Sequence, residues 1–176
     1  MSEPKSRIYT NLDQLSNFGR WLILSCGAGL LIGLVAVAFH YGIHIATHLR
    51  MTNPLLLLLL PISGVVIVLL YRVCGMEHDR GTNLVLVAVR QAHPMHLRTA
   101  PLIFFSTVLT HLAGGSAGRE GAALQLGGSI AERAGRLLKL NEKDRRVLTM
   151  CGMSAAFSAL FGTPLTATLA AVMRVA

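Results

Sequence analysis

Long stretches without a charged side chain limit what this chain can fold into. No Asp, Glu, Lys or Arg interrupts the 29 residues between Arg20 and Arg50, the 21 between Arg50 and Arg72, the 20 between Arg98 and Arg119, or the 27 from Val147 to Met173. A helix crosses the hydrocarbon core of a bilayer with about 20 apolar residues, so at least three of these runs are candidate spans. A soluble helical protein would have to bury every such run, whereas uncharged stretches of this length are the mark of a membrane protein. Composition agrees: 14% of residues are charged, where a soluble domain carries about 25%.

The formal charge of +8 invites a nucleic-acid partner, but the distribution of the cations argues against one. Lys5, Arg7 and Arg20 precede the first apolar run, and Arg133, Arg136, Lys139, Lys143, Arg145 and Arg146 crowd into one polar connection. Membrane proteins retain basic loops of this kind on the cytoplasmic side. Residues 1–20 are therefore expected to form a cytoplasmic N-terminal segment, with a short amphipathic surface helix, and residues 21–176 the membrane part. The first 20 residues are polar, and the apolar run after them is too long for a signal-peptide core. Cys26, Cys74 and Cys151 form no C-x-x-C pair and receive no role.

Trp21 stands where an interfacial aromatic anchor would stand, and residues 21–49 predict the first long helix. Gly29 and Gly33 have the small-x-x-x-small spacing that lets a neighbouring helix approach. Pro54 starts a second helix running to about Arg72, in which Pro61 and Gly64 predict a kink. Beyond it the pattern fragments. Residues 82–92 are apolar but too short to span, 98–113 make a moderately long helix, and a short helix over about 121–135 follows the segment GGSAGREG. Short hydrophobic segments broken by glycine point to discontinuous, re-entrant half-helices meeting within the membrane. Asn141 with Asp144 is a capping signal for a helix over 142–160.

Glu120 is the residue on which a functional reading turns. It separates an uncharged run of 20 residues from one of 11, with Arg119 beside it, so both are expected at membrane depth. A charge at the bilayer centre costs roughly 2.5–3.5 kcal/mol on insertion scales. A self-satisfied Arg119–Glu120 pair is the plainer reading, but adjacent helical residues point apart. The glycines of Gly114-Gly115-Ser116-Ala117-Gly118-Arg119-Glu120-Gly121 let the backbone present successive amides to one point, and a helix starting there adds its positive end. Such a site holds an anion without a full positive charge, which suits an ion that must also leave. Gly81-Thr82-Asn83 opens the segment 82–92. Thr and Asn there are ordinary caps, or the start of a second half-helix aimed at the same ion.

G-R-E-G followed by A-A-L-Q-L-G-G resembles the signature of the CLC chloride channel and transporter family, in which G-R-E-G-P or G-R-E-G-T precedes a hydrophobic run with Gln. Met153-Ser154-Ala155-Ala156-Phe157 and Phe161-Gly162-Thr163-Pro164-Leu165 resemble the family's next two helices, so the resemblance covers about residues 20–172. It implies an all-α, multi-pass integral membrane protein, the first inverted repeat of the CLC fold, in the plasma (inner) membrane of a prokaryote. The implied function is chloride or fluoride transport, with no cofactor and the lipid bilayer and a small inorganic anion as partners. Glu120 would be the gate, its carboxylate competing with the permeating ion for helix N-termini and coupling transport to pH. Gly81, Thr82, Asn83, Gly118, Arg119, Glu120 and Gly121 would line the anion site, and the complete protein would be a homodimer.

Departures from the family pattern refine these expectations. Where the family has G-S-G-I-P, this chain has Arg80-Gly81-Thr82-Asn83-Leu84, which looks more like the fluoride-exporting branch. The inner glutamate of proton-coupled exchangers is replaced by Met173 and Arg174, so proton coupling by that route is not expected. The family's second repeat contributes another helix N-terminus and a tyrosine to the anion site, and this chain stops before it. The alternative is thus a non-transporting membrane adaptor or a degenerate fragment.

Other motifs are weaker. His40, His44 and His48 recur at i, i+4, i+8 on one helix face, a spacing able to bind zinc, but without the Glu of H-E-x-x-H they read as a polar stripe. His111 lies inside an apolar run, where it would line a watery vestibule or bond across helices. GGSAGREG lacks the Gly-Lys-Ser/Thr of a phosphate loop, and its acid would repel phosphate. No nucleophile–base pair supports an enzyme.

Overall fold

The computed structural model describes residues 4–76, 81 and 96–173, with side chains over 17–76, 81 and 96–169. The described residues form six α-helices and one 3-10 helix. These are α1 (Pro4–Thr52), the 3-10 helix Pro54–Leu59, α2 (Leu60–Val73), α3 (Thr99–Leu112), α4 (Arg119–Leu137), α5 (Glu142–Phe161) and α6 (Pro164–Met173). The all-α expectation holds. The short helix expected over 82–92, and with it Thr82 and Asn83, lies outside the described residues.

No break separates a surface helix from the first span, because α1 is continuous for 49 residues, about 74 Å at 1.5 Å per residue. One stripe of it is buried, through Ile32, Ala36, Phe39, Ile43 and Ala46. The spacing of four, three, four and three residues keeps those side chains on a single face. His40, His44 and His48 fall on the exposed face, and no group of three or more metal-binding side chains occurs among the described residues.

Pro61 does not kink a continuous α-helix. The turns before it, Pro54–Leu59, are wound as a 3-10 helix, and Pro61 sits in the first turn of α2. A first-turn amide has no partner within its helix, so proline there loses no hydrogen bond. The Ser63 hydroxyl donates to the Leu60 carbonyl at 2.8 Å.

Two apolar clusters hold the bundle. Phe39 and Ile43 of α1 meet Ala100 and Ile103 of α3 and Ala122 and Leu126 of α4. Ile32 of α1 meets Ala131, Leu140, Leu148 and Ala156 of the α4–α5 pair. At the centre α4 and α5 touch backbone to backbone. A Cβ placed on Gly127 would overlap the Gly152 carbonyl oxygen and lie 2.7 Å from the Ala156 Cβ. One placed on Gly152 would overlap the Ala131 Cβ and lie 2.6 Å from the Gly127 carbonyl oxygen. Each helix thus brings a small-x-x-x-small pair, Gly127 with Ala131 and Gly152 with Ala156. Gly29 and Gly33, where the same signal predicts an approach, have open space beside them; on α1 the close approach comes at Gly42, against Val108 and Phe104 of α3.

Long apolar surfaces remain uncovered. Residues Asn17–Thr52 and Pro54–Val73 are long and apolar enough to cross a membrane, and their most apolar windows are only 17% and 6% buried. The core helix of a soluble protein would be mostly buried. Leaving Leu30, Leu34, Leu55, Leu58, Ile62 and Val65 exposed is costly in water and favourable in hydrocarbon.

Candidate functional site

The glycine loop after α3 shapes the start of α4. The amide of Ala113 donates to Leu109, that of Gly114 to His111 and that of Gly115 to Thr110, the last at 2.8 Å, closing the end of α3. Gly114 takes φ +85°, a left-handed conformation open to glycine at little cost. Gly115 is confined by the Thr110 side chain, 2.7 Å from an added Cβ, and by Leu60 at 3.2 Å. The loop is seated against the start of α2 and the side chains of Leu57 and Arg50.

Gly118 then adopts extended backbone (φ −65°, ψ 131°) as the N-cap of α4, with no side-chain cap, and Glu120 lies in the first turn. Arg119, Glu120 and Gly121 therefore occupy the positive end of a 19-residue helix. By contrast, α5 opens with the Asn141 carboxamide oxygen accepting from the Asp144 amide at 2.7 Å. The helix that begins at Arg119 has no such side-chain cap for its first amides. Gly118, Arg119 and Glu120 are exposed in this chain and Gly121 is half-buried, while most of the helix after them is buried. Glu120 forms no ion pair with Arg119 among the described residues.

Of the other expected site residues, Gly81 has a left-handed backbone (φ +58°). His111 bonds within its own helix: its Nδ1 lies 2.8 Å from the Thr107 carbonyl oxygen, which can only accept, so Nδ1 carries the hydrogen. An apolar cleft of about 540 Å³ between α2 and α3, lined by Leu70, Cys74, Pro101, Phe105 and Leu109 with Arg98, includes none of the expected anion-site residues.

Sequence reasoning missed a second acid on the same helix. Glu132 is buried, its Oε1 accepting from the Arg136 Nε at 2.9 Å with the Arg145 Nη1 at 3.7 Å, and its Oε2 accepting from the Thr149 hydroxyl at 3.4 Å. An isolated acid in a run of small residues, with an arginine four positions on, was the available signal. Arg20 of α1 reaches Asp144 of α5 at 3.8 Å, so the charged groups gather at one end of the bundle. Glu120 and Leu137 stand at opposite ends of α4, about 26 Å apart along the axis.

The arrangement of these helices is matched in a known family. A voltage-gated chloride channel family model matches residues 62–175, well over half of the chain. The chain belongs to the CLC family. A chloride/fluoride channel protein of Pseudomonas syringae pv. tomato is 37% identical over 166 residues, covering 94% of this chain and 37% of that protein. The crystal structure of a CLC-type fluoride/proton antiporter is 40% identical with a TM-score of 0.79, covering 85% of this chain and 38% of that one. The chain therefore spans just over a third of the length of these CLC relatives. CLC membership and the uncovered apolar helices together make it an integral membrane protein. The family comprises channels and transporters, not enzymes.

Proposed function

We propose that this chain builds part of a CLC-type pathway for chloride or fluoride, with Glu120 as its gate. The observation that supports this most is the start of α4, where the G-R-E-G segment places an acid on the first turn of an otherwise buried helix with no side-chain cap. A carboxylate and a small anion would compete for the same positive helix end. Fluoride is the favoured ion because both relatives described above handle it by name, and because Thr82 and Asn83 follow the G-x-N-L form. The re-entrant half-helices, the inverted-repeat architecture, the homodimer, the inner membrane of a prokaryote and the cytoplasmic position of residues 1–20 belong to the same proposal.

The test is anion efflux from liposomes. Glu120→Ala should alter fluoride or chloride flux at least severalfold while leaving the melting temperature unchanged, and Glu120→Gln should do the same by removing the charge alone. Unaltered flux in both variants overturns the gate. Thr82→Ala and Asn83→Ala should shift the fluoride-to-chloride ratio, and an unshifted ratio removes them from the site. The second reading, a membrane adaptor that moves no ion, draws on the exposure of Glu120. Parent protein that passes neither anion would favour it.

A further inference from the structure

The connection between α4 and α5 carries three features that the anion pathway does not use. First, its cations divide into two sets. Arg136 and Arg145 pair with Glu132, and Arg146 pairs with Glu142 at 2.7 Å. Arg133, Lys139 and Lys143 are exposed and make no ion pair among the described residues. Second, two leucines stand beside them in the open, Leu137 at 68% and Leu138 at 55% exposure. Third, Lys139 is the one non-glycine among the described residues with a positive φ, +52°. It closes α4 with its amide donating to Arg136 while the Leu140 amide donates to Gly135, each at 3.0 Å. Glycine is the usual occupant of that position, so the fold alone does not ask for lysine there.

The depth of this turn follows from α1. Its apolar run begins at Trp21, and the neighbouring Arg20 reaches Asp144 in the first turn of α5. An aromatic at the start of a span sits at headgroup level, so the turn over 137–143 sits there too. We infer that this turn is a docking surface for anionic phospholipid headgroups, with Leu137 and Leu138 entering the acyl boundary and Arg133, Lys139 and Lys143 meeting the phosphates. The ion pairs of Glu132 and Glu142 and the Asn141 cap hold the turn in shape beneath the lipid. A basic cluster at a membrane surface attracts anionic lipid by an amount worth about fivefold in affinity per cation.

The experiment is native mass spectrometry of the full chain in detergent, titrated with phosphatidylglycerol and, separately, with phosphatidylcholine. The parent should retain phosphatidylglycerol at least tenfold more strongly. Lys139→Gly should lose about fivefold of that preference and melt no lower than the parent, since it relieves the left-handed backbone. The triple variant Arg133→Gln, Lys139→Gln, Lys143→Gln should lose the preference altogether. Equal retention of both lipids by the parent, or a preference undiminished in Lys139→Gly, overturns the proposal. So does displacement of phosphatidylglycerol by millimolar inorganic phosphate, which would indicate a site for free anions. Should the triple variant fail to fold, Lys139→Gly decides alone. Anion flux enters none of these readouts, so the result stands apart from the role of Glu120.

Discussion

Glu120 and Glu132 lie on one helix and meet opposite surroundings. Glu132 is enclosed by two arginines and a threonine, whereas Glu120 is exposed at the uncapped end. Removing one partner of a buried ion pair leaves the other charge without compensation, at roughly 3–5 kcal/mol. Arg136 and Arg145 still reach water, with 36% and 26% of their side chains exposed, which reduces the loss. Glu132→Ala should therefore destabilise the protein by about 2 kcal/mol, read as a lowered melting temperature in detergent. Glu132→Gln should cost less, because an amide oxygen still accepts from Arg136. Melting unchanged in both would mean that the cluster does not hold α4 to α5. Of this pair only Glu120 was legible in the sequence, because it interrupts an apolar run. Glu132 stands in a run of small residues with an arginine four positions on, a weaker signal that does not say a partner helix folds over it.

At the scale of elements, the α4–α5 crossing is the tightest helix contact among the described residues, and it rests on Gly127 and Gly152. Any side chain at Gly152 meets Ala131 and the Gly127 backbone, and backbone cannot yield as a flexible side chain can. Gly152→Val should abolish the folded state or cost about 4 kcal/mol or more, whereas Gly29→Ala, with open space around it, should be neutral within about 0.5 kcal/mol. Size-exclusion profiles and melting curves of the two variants separate these outcomes. The existence and approximate ends of α3 and α4 were legible from apolar runs and glycine punctuation, and α5 from the Asn141 cap, which formed as its spacing implies; α6 was indicated only by the family resemblance. The pairing of helices was not. A small-x-x-x-small spacing marks where an approach is allowed, and such pairs recur along α1, α4 and α5; the partner is chosen by the whole packing. The sequence reading also divided α1 at residue 20, because polarity changes there, although a helix needs no change of backbone where its surroundings change.

At the scale of the molecule, the charge distribution gives the bundle a direction. Arg20, Glu132, Arg136, Glu142, Asp144, Arg145 and Arg146 share one end, and α4 runs from Glu120 toward it. Basic ends are as a rule retained in the cytoplasm, so the Glu120 end is expected to face away from it. In a background with Cys26, Cys74 and Cys151 replaced by alanine, Lys143→Cys in inverted vesicles should react with a membrane-impermeant maleimide. Ser116→Cys should react only in right-side-out cells. The reverse pattern would invert the orientation and place the Glu120 end inside.

The mixed winding of the second span has a geometric consequence. Six residues at about 2.0 Å and fourteen at about 1.5 Å give a rod of about 33 Å, slightly longer than a typical hydrocarbon thickness of about 30 Å. Among the described residues that rod leans on α3, on the glycine loop and, through its first turns, on the end of α1. A stretch longer than the hydrocarbon thickness is accommodated by tilting, so shorter tails would lay the rod over further while α4 and α5, locked at their glycines, keep their crossing.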